Sequence, residues 1–107
     1  MLMVTIVETP LAAMRLAGRP RLHAFWSDHP DARGHLEAWA AEIRQAAWRT
    51  PHELTAAFPK ARIIGHGRVI FAIRGNRFRL DALVDYRNSQ VLVVRVGTHA
   101  DYDKWTF

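Results

Sequence analysis

The chain has 107 residues, half of them apolar, which fits one domain (1–107) with one core; the absence of cysteine excludes disulfides, thiolate metal sites and a cysteine nucleophile. Its net charge of +5 lies entirely in the second half. Residues 1–59 carry six Arg against six Asp or Glu, whereas residues 60–107 carry nine basic residues against four acids. Thirteen of the fifteen basic residues are Arg, whose planar fork grips a phosphate through two bonds where Lys offers a point charge. By composition alone, a polyanion partner and ordinary solvation of the surface stand equally open.

Met3 to Glu8 is a short β-branched run ended by Pro10 and reads as a first strand. Apolar stretches before Pro20 are interrupted by Glu8 and Arg15 and fall short of the roughly 18 residues of a membrane span, so a soluble, untargeted, cytoplasmic chain with no membrane partner is expected. Residues 11–27 read as helix in two pieces, broken by Gly18 and Pro20, with Leu22, Phe25 and Trp26 on one face of the second. Asp31 offers an N-cap for the next helix, in which Leu36, Trp39, Ala40, Ile43 and Ala47 recur at helical spacing to about Trp48. Thr50-Pro51-His52-Glu53 is a capping box opening a short helix that holds Leu54 and Phe58. The four tryptophans read as helix packing. The histidines are scattered and His29 and His35 lack the i, i+4 spacing of a ligand pair, so neither metal nor cofactor is expected.

From Ala61 the apolar period changes to two. Strands are expected at 61–65 and 68–74, separated by Gly65-His66-Gly67, then at 77–86 and 91–98. Gly75-Asn76 reads as a two-residue hairpin turn with positive φ at both positions, which pairs residue 72 with 79. The order of elements predicts an α+β fold: an N-terminal strand, then two to three helices packed on one face of a twisted antiparallel sheet. Alternation assigns Val69, Phe71, Ile73, Phe78, Leu80, Ala82, Val84, Leu92, Val94 and Val96 to the covered face. It assigns Arg68, Arg74, Arg77, Arg79, Asp81 and Arg95 to the open one. A three-residue turn at 87–89 sets Arg95 opposite Asp81, a contact that orients the guanidinium. Positive charge gathered on central strands repels itself unless a ligand offsets it, and a phosphate backbone is such a ligand.

After the last strand comes Gly97-Thr98-His99-Ala100-Asp101-Tyr102-Asp103. With Phe25-Trp26, His29-Pro30-Asp31-Ala32, Ala47-Trp48-Arg49-Thr50-Pro51, Arg68-Val69-Ile70-Phe71 and Gly75-Asn76-Arg77-Phe78-Arg79-Leu80, this segment makes the chain resemble the HigB-type toxins of toxin–antitoxin pairs, a branch of the RelE-like fold. The resemblance runs from about Leu22 to Trp105; Thr9 to Arg21 departs from the family and reads as an insertion. It implies an endoribonuclease that cleaves mRNA, commonly during translation on the ribosome, with the substrate on the exposed sheet face. It also implies a cognate HigA-like antitoxin with a helix-turn-helix domain, through which alone operator DNA would be reached. The chemistry asks for activation of a ribose 2′ hydroxyl, stabilisation of charge on the phosphorane and protonation of the leaving oxygen. Arg79 and Arg95 are the candidates for that charge. His99 is the candidate acid–base group and Tyr102 a group that stacks on a base or shares the proton transfer. Lys60, Arg62, Arg68 and Arg77 are candidate RNA contacts. Two readings without catalysis stay open on the residues themselves: an RNA- or ribosome-binding module, and a small basic domain that binds an acidic protein.

Overall fold

The computed structural model describes residues 13–107 of the chain, so the strand expected at Met3–Glu8 lies outside the described residues. Strand β1 (Arg15–Ala17) is followed by helix α1 (Arg19–Asp28), a 3-10 turn at Pro30–Ala32, and helices α2 (Arg33–Gln45) and α3 (Pro51–Ala57). Strands β2 (Arg62–Gly65), β3 (Arg68–Ile73), β4 (Phe78–Asp85) and β5 (Gln90–Thr98) follow, and a short helix α4 (His99–Tyr102) closes the order. The architecture is α+β, with helices packed against a sheet that has five strands among the described residues, in the order β1-β5-β4-β3-β2.

The sheet is antiparallel from β2 to β5 and mixed only because β1 joins the outer edge of β5 in parallel. This corrects the first helical piece expected within residues 11–17. Without a partner the edge of β5 would expose a row of amide and carbonyl groups, and Arg15–Ala17 satisfies them against Gln90–Leu92. Amides just before and within the strand are held at Ala46 O and Ser89 O, each at 2.8 Å.

Helix α2 buries Leu36, Trp39, Ala40 and Ile43, the expected stripe, but ends at Gln45 because Ala46 turns extended at ψ 154°. Trp48, past that end, enters the core with Trp39, and both lie near Phe71, at 6.5 and 5.4 Å between ring centroids. Thr50 caps α3 by accepting from the Glu53 amide at 3.2 Å, while Glu53 reaches back one residue further than expected, to the Arg49 amide. Asp31 is not a cap. Ala32 holds that position at α2, and Asp31 instead pairs with Arg74 and, at 3.2 Å, Arg77 on the β3–β4 turn.

The β3–β4 hairpin keeps the expected register, with Ala72 opposite Arg79 and Ile73 opposite Phe78. The positive φ angles fall on Arg74 (51°) and Gly75 (63°) rather than on Gly75 and Asn76. Arg95 does pair with Asp81, but a different device puts it there. The turn spans Tyr86–Ser89, four residues held by Asp85 accepting from the amide and side chain of Asn88 at 2.9 and 2.8 Å. A β-bulge then shifts the register between Ala82↔Val93 and Asp81↔Arg95, leaving Val94 as the extra residue. One consequence corrects the covered face. Before the bulge it is Val91 and Val93 that are buried in the core, not Leu92 and Val94; beyond it Val96 packs inward as expected.

Candidate functional site

The face of the sheet away from the three main helices is organised around one carboxylate. Asp81 is the only charged residue among the described residues to be buried, with no exposed surface. Arg68 grips both its oxygens, Nε donating to Oδ1 at 3.0 Å and Nη2 to Oδ2. Arg95 Nε donates to Oδ2 at 2.8 Å from the neighbouring strand. A carboxylate so far from water would be costly without compensation, and two guanidinium groups supply it. The bonds to Asp81 hold the Arg68 pKa above its ordinary value. Two cations on one anion leave a net positive charge, and the Nη groups not bound to Asp81 lie in side chains that remain 31% and 37% exposed. Ile70, directly opposite Asp81 on β3, is buried yet stands outside the main core cluster, so the centre of this face is covered too.

The cover comes from the chain after β5. Thr98 caps α4 in a reciprocal box: its side chain accepts from the Asp101 amide at 3.1 Å, and the Asp101 carboxylate accepts from the Thr98 amide at 2.9 Å. Those bonds hold the Asp101 pKa below the usual carboxylate value. Gly97 makes room for the return: a β-carbon there would lie 2.7 Å from the Trp105 ring and 2.9 Å from Asp101 Cβ. Trp105 then lies over Arg95, with the guanidinium carbon 4.2 Å from a ring centroid, and meets Tyr102 edge-on at 5.6 Å.

Three of the four residues expected to carry chemistry gather at this corner. Arg79 lies over the Tyr102 ring at 5.2 Å, and the Tyr102 hydroxyl accepts from Arg62 Nη1 at 2.7 Å. His99 stands beside Tyr102 at 6.4 Å between centroids, its Nδ1 3.3 Å from Asp103 Oδ2, and more than half its side chain is exposed. Among the described residues neither Arg62 nor Arg79 is within ion-pair distance of a carboxylate. Arg95, the fourth, is on the same face but separated from Tyr102 by the Trp105 ring. Of the expected RNA contacts, Arg62 joins the cluster directly and Arg68 through Asp81. Arg77 pairs with Asp31 at the hairpin turn and contributes to this corner only its carbonyl, which accepts from the His99 amide at 3.1 Å. Lys60 is exposed in the turn before β2, beside a hollow of about 270 Å³ floored by Phe58 and Phe71.

Sequence reasoning missed the Arg68–Asp81 bond and the two aromatic residues laid over the arginines, Trp105 and Phe107. Tyr102 and Trp105 are three residues apart, the spacing of neighbours on one turn, and that was the available signal. Among the described residues no group of three or more His, Asp or Glu is placed to hold a metal ion, and no helix is long and apolar enough to cross a membrane.

An α+β sheet with its helices on one face and an arginine-lined reverse is the architecture of a RelE-like toxin. Residues 32–105 match the family model of the HigB toxin, the RelE-like toxic component of a toxin–antitoxin system, and the chain belongs to that family. The match takes in α2, α3, the sheet from β2 to β5 and α4, while Phe25-Trp26 and His29-Pro30-Asp31 lie before it. A search of curated proteins finds no match.

Proposed function

We propose that this toxin is a metal-independent endoribonuclease that cleaves mRNA during translation on the ribosome, by attack of a ribose 2′ hydroxyl on the adjoining phosphodiester. The observation that carries the reading is the corner around Tyr102: Arg79 on its ring, Arg62 on its hydroxyl, neither paired with an acid among the described residues, and His99 alongside. A scissile phosphate there is the missing counter-charge. His99 removes the 2′ proton or delivers one to the leaving 5′ oxygen. Because Tyr102 already accepts from Arg62, its own proton points elsewhere and is free for a phosphate oxygen or the leaving group. Arg79 stabilises the phosphorane from beside the ring and Arg95 from beyond Trp105. The balanced products are a 2′,3′-cyclic phosphate and a free 5′ hydroxyl. Lys60, Arg62, Arg68 and Arg77 hold phosphates on either side.

The toxin is neutralised in the cytoplasm by an antitoxin, here proposed as a HigA-like helix-turn-helix protein that also supplies all contact with operator DNA. Expression in a bacterial host with mapping of mRNA ends tests the reading. His99→Ala and Arg79→Ala are expected to abolish growth arrest and reduce cleavage roughly 100- to 1,000-fold, with folding and antitoxin binding retained. Full toxicity of both variants would remove the assignment of the site. A wild-type chain that binds RNA but never cuts it, with or without a chelator, would leave a binding module.

A further inference from the structure

Beyond Trp105 the open face carries an aromatic ring, Phe107, to which the proposed reaction gives no part, set beside two of the arginines already placed on the RNA. Phe107 is 54% exposed, although its ring lies 5.8 Å from the Arg95 guanidinium carbon and 5.9 Å from that of Arg68. Both arginines are fixed by the buried Asp81, Arg68 through Nε and Nη2 and Arg95 through Nε, so their remaining N–H groups are presented at set positions rather than searching for a partner. A bare aromatic ring beside two held guanidinium groups offers a stacking surface and a phosphate clamp together.

We propose that Phe107, Arg68 and Arg95 form a nucleotide-binding subsite that takes the base and phosphate of a nucleotide neighbouring the scissile bond. The proposal rests on the reading of this face as RNA-binding and deepens it. The ring binds the base by its π face, as single-strand binders do without regard to sequence, and Nη1 of Arg68 with the Nη groups of Arg95 takes the adjoining phosphate. Continuity favours a nucleic-acid strand over an acidic peptide. Arg95, Trp105, Tyr102 and Arg79 run from this cluster to the reaction corner at separations of 4.2, 5.6 and 5.2 Å, two rings set between two cations, which offers planes as well as charge to a strand that carries both. An acidic peptide has the charge but not the planes.

The probe is a labelled single-stranded oligoribonucleotide, bound to full-length chain carrying His99→Ala so that the RNA survives, and read by fluorescence anisotropy. Phe107→Ala is expected to weaken binding by roughly 5- to 100-fold, the range for loss of one stacked base, and Phe107→Trp to restore it. An abasic nucleotide walked along the RNA should reproduce the loss at one position, and Phe107→Ala should add nothing to it there. Unchanged or tighter binding by Phe107→Ala overturns the subsite, the second outcome meaning that the ring only shields the arginines. Equal losses at every abasic position, or a glutamate-rich peptide bound more tightly than the RNA at the same salt, also overturn it. The two readings fail separately. Cleavage of mRNA with no effect of Phe107→Ala on affinity removes the subsite alone, and the abasic pattern in a chain that never cleaves removes the nuclease alone.

Discussion

At the scale of single residues, Asp81 sets what the arginines of the open face are able to do. Surface ion pairs such as Arg33–Glu37 are worth little because water competes for both partners. Asp81 differs, since its carboxylate has no exposed surface and must be satisfied by protein donors. Arg68 supplies two of its three side-chain hydrogen bonds, one to each oxygen, and Arg95 the third, sharing Oδ2 from another strand. The two arginines are therefore unequal. Arg68→Ala is expected to lower the unfolding free energy by about 2–4 kcal/mol, because the carboxylate keeps a single donor. Arg95→Ala should cost about 1–2 kcal/mol, since Arg68 still reaches both oxygens. Urea denaturation of the two variants checks the order, and a larger loss for Arg95→Ala would mean that the pair across β4 and β5 is the principal one.

At the scale of elements, the bulge in β5 and the return through α4 act together. One extra residue, Val94, moves Arg95 onto the open face while Val91 and Val93 stay in the core. Past the bulge, Thr98 stops the strand by capping α4, and the turn of helix brings Tyr102 and Trp105 back over the sheet. Gly97 is where the two meet. Gly97→Ala would press a methyl group against the Trp105 ring and Asp101, neither of which is a free side-chain end. The expected result is a destabilisation of about 1–3 kcal/mol, as for overpacking generally. It should come with a changed near-ultraviolet dichroism from Trp105 and loss of growth arrest. A variant that arrests growth like wild type would show that the return need not pack closely for activity.

At the scale of the molecule, the sheet divides labour between its faces. One buries the aromatic cluster of Trp39, Trp48, Phe58 and Phe71 under the helices; the other carries Arg62, Arg68, Arg79 and Arg95 around the buried acid Asp81. Binding of single-stranded RNA to such a face is dominated by release of counter-ions. With roughly three or four phosphates engaged, log Kobs is expected to fall against log salt with a slope of about −2 to −3. Titration across a range of salt measures it. Removing Arg62 should reduce the slope by about 0.7, whereas removing Arg74, which faces Asp31 at the hairpin turn, should leave it unchanged.

What the sequence determined by itself was set by local chemistry. The change of apolar period at Ala61 marked the passage from helices to sheet, and the Gly75-Asn76 turn fixed Ala72 against Arg79. The charged positions of the last two strands called for Arg95 opposite Asp81, and the ordered motifs ending in Gly97 to Asp103 carried the family. Tertiary structure decided the rest, because those features depend on neighbours distant in the chain. Arg15–Ala17 is a strand only because β5 has an edge to cover. Asp31 leaves its cap for Arg74 and Arg77, forty-odd residues away, where two cations outbid one helix end. The bulge, and not a three-residue turn, delivers Arg95. Trp105 and Phe107 reach the arginines only once α4 has reversed the chain, so no pattern of charges in sequence reveals that the open face is half roofed by aromatic rings.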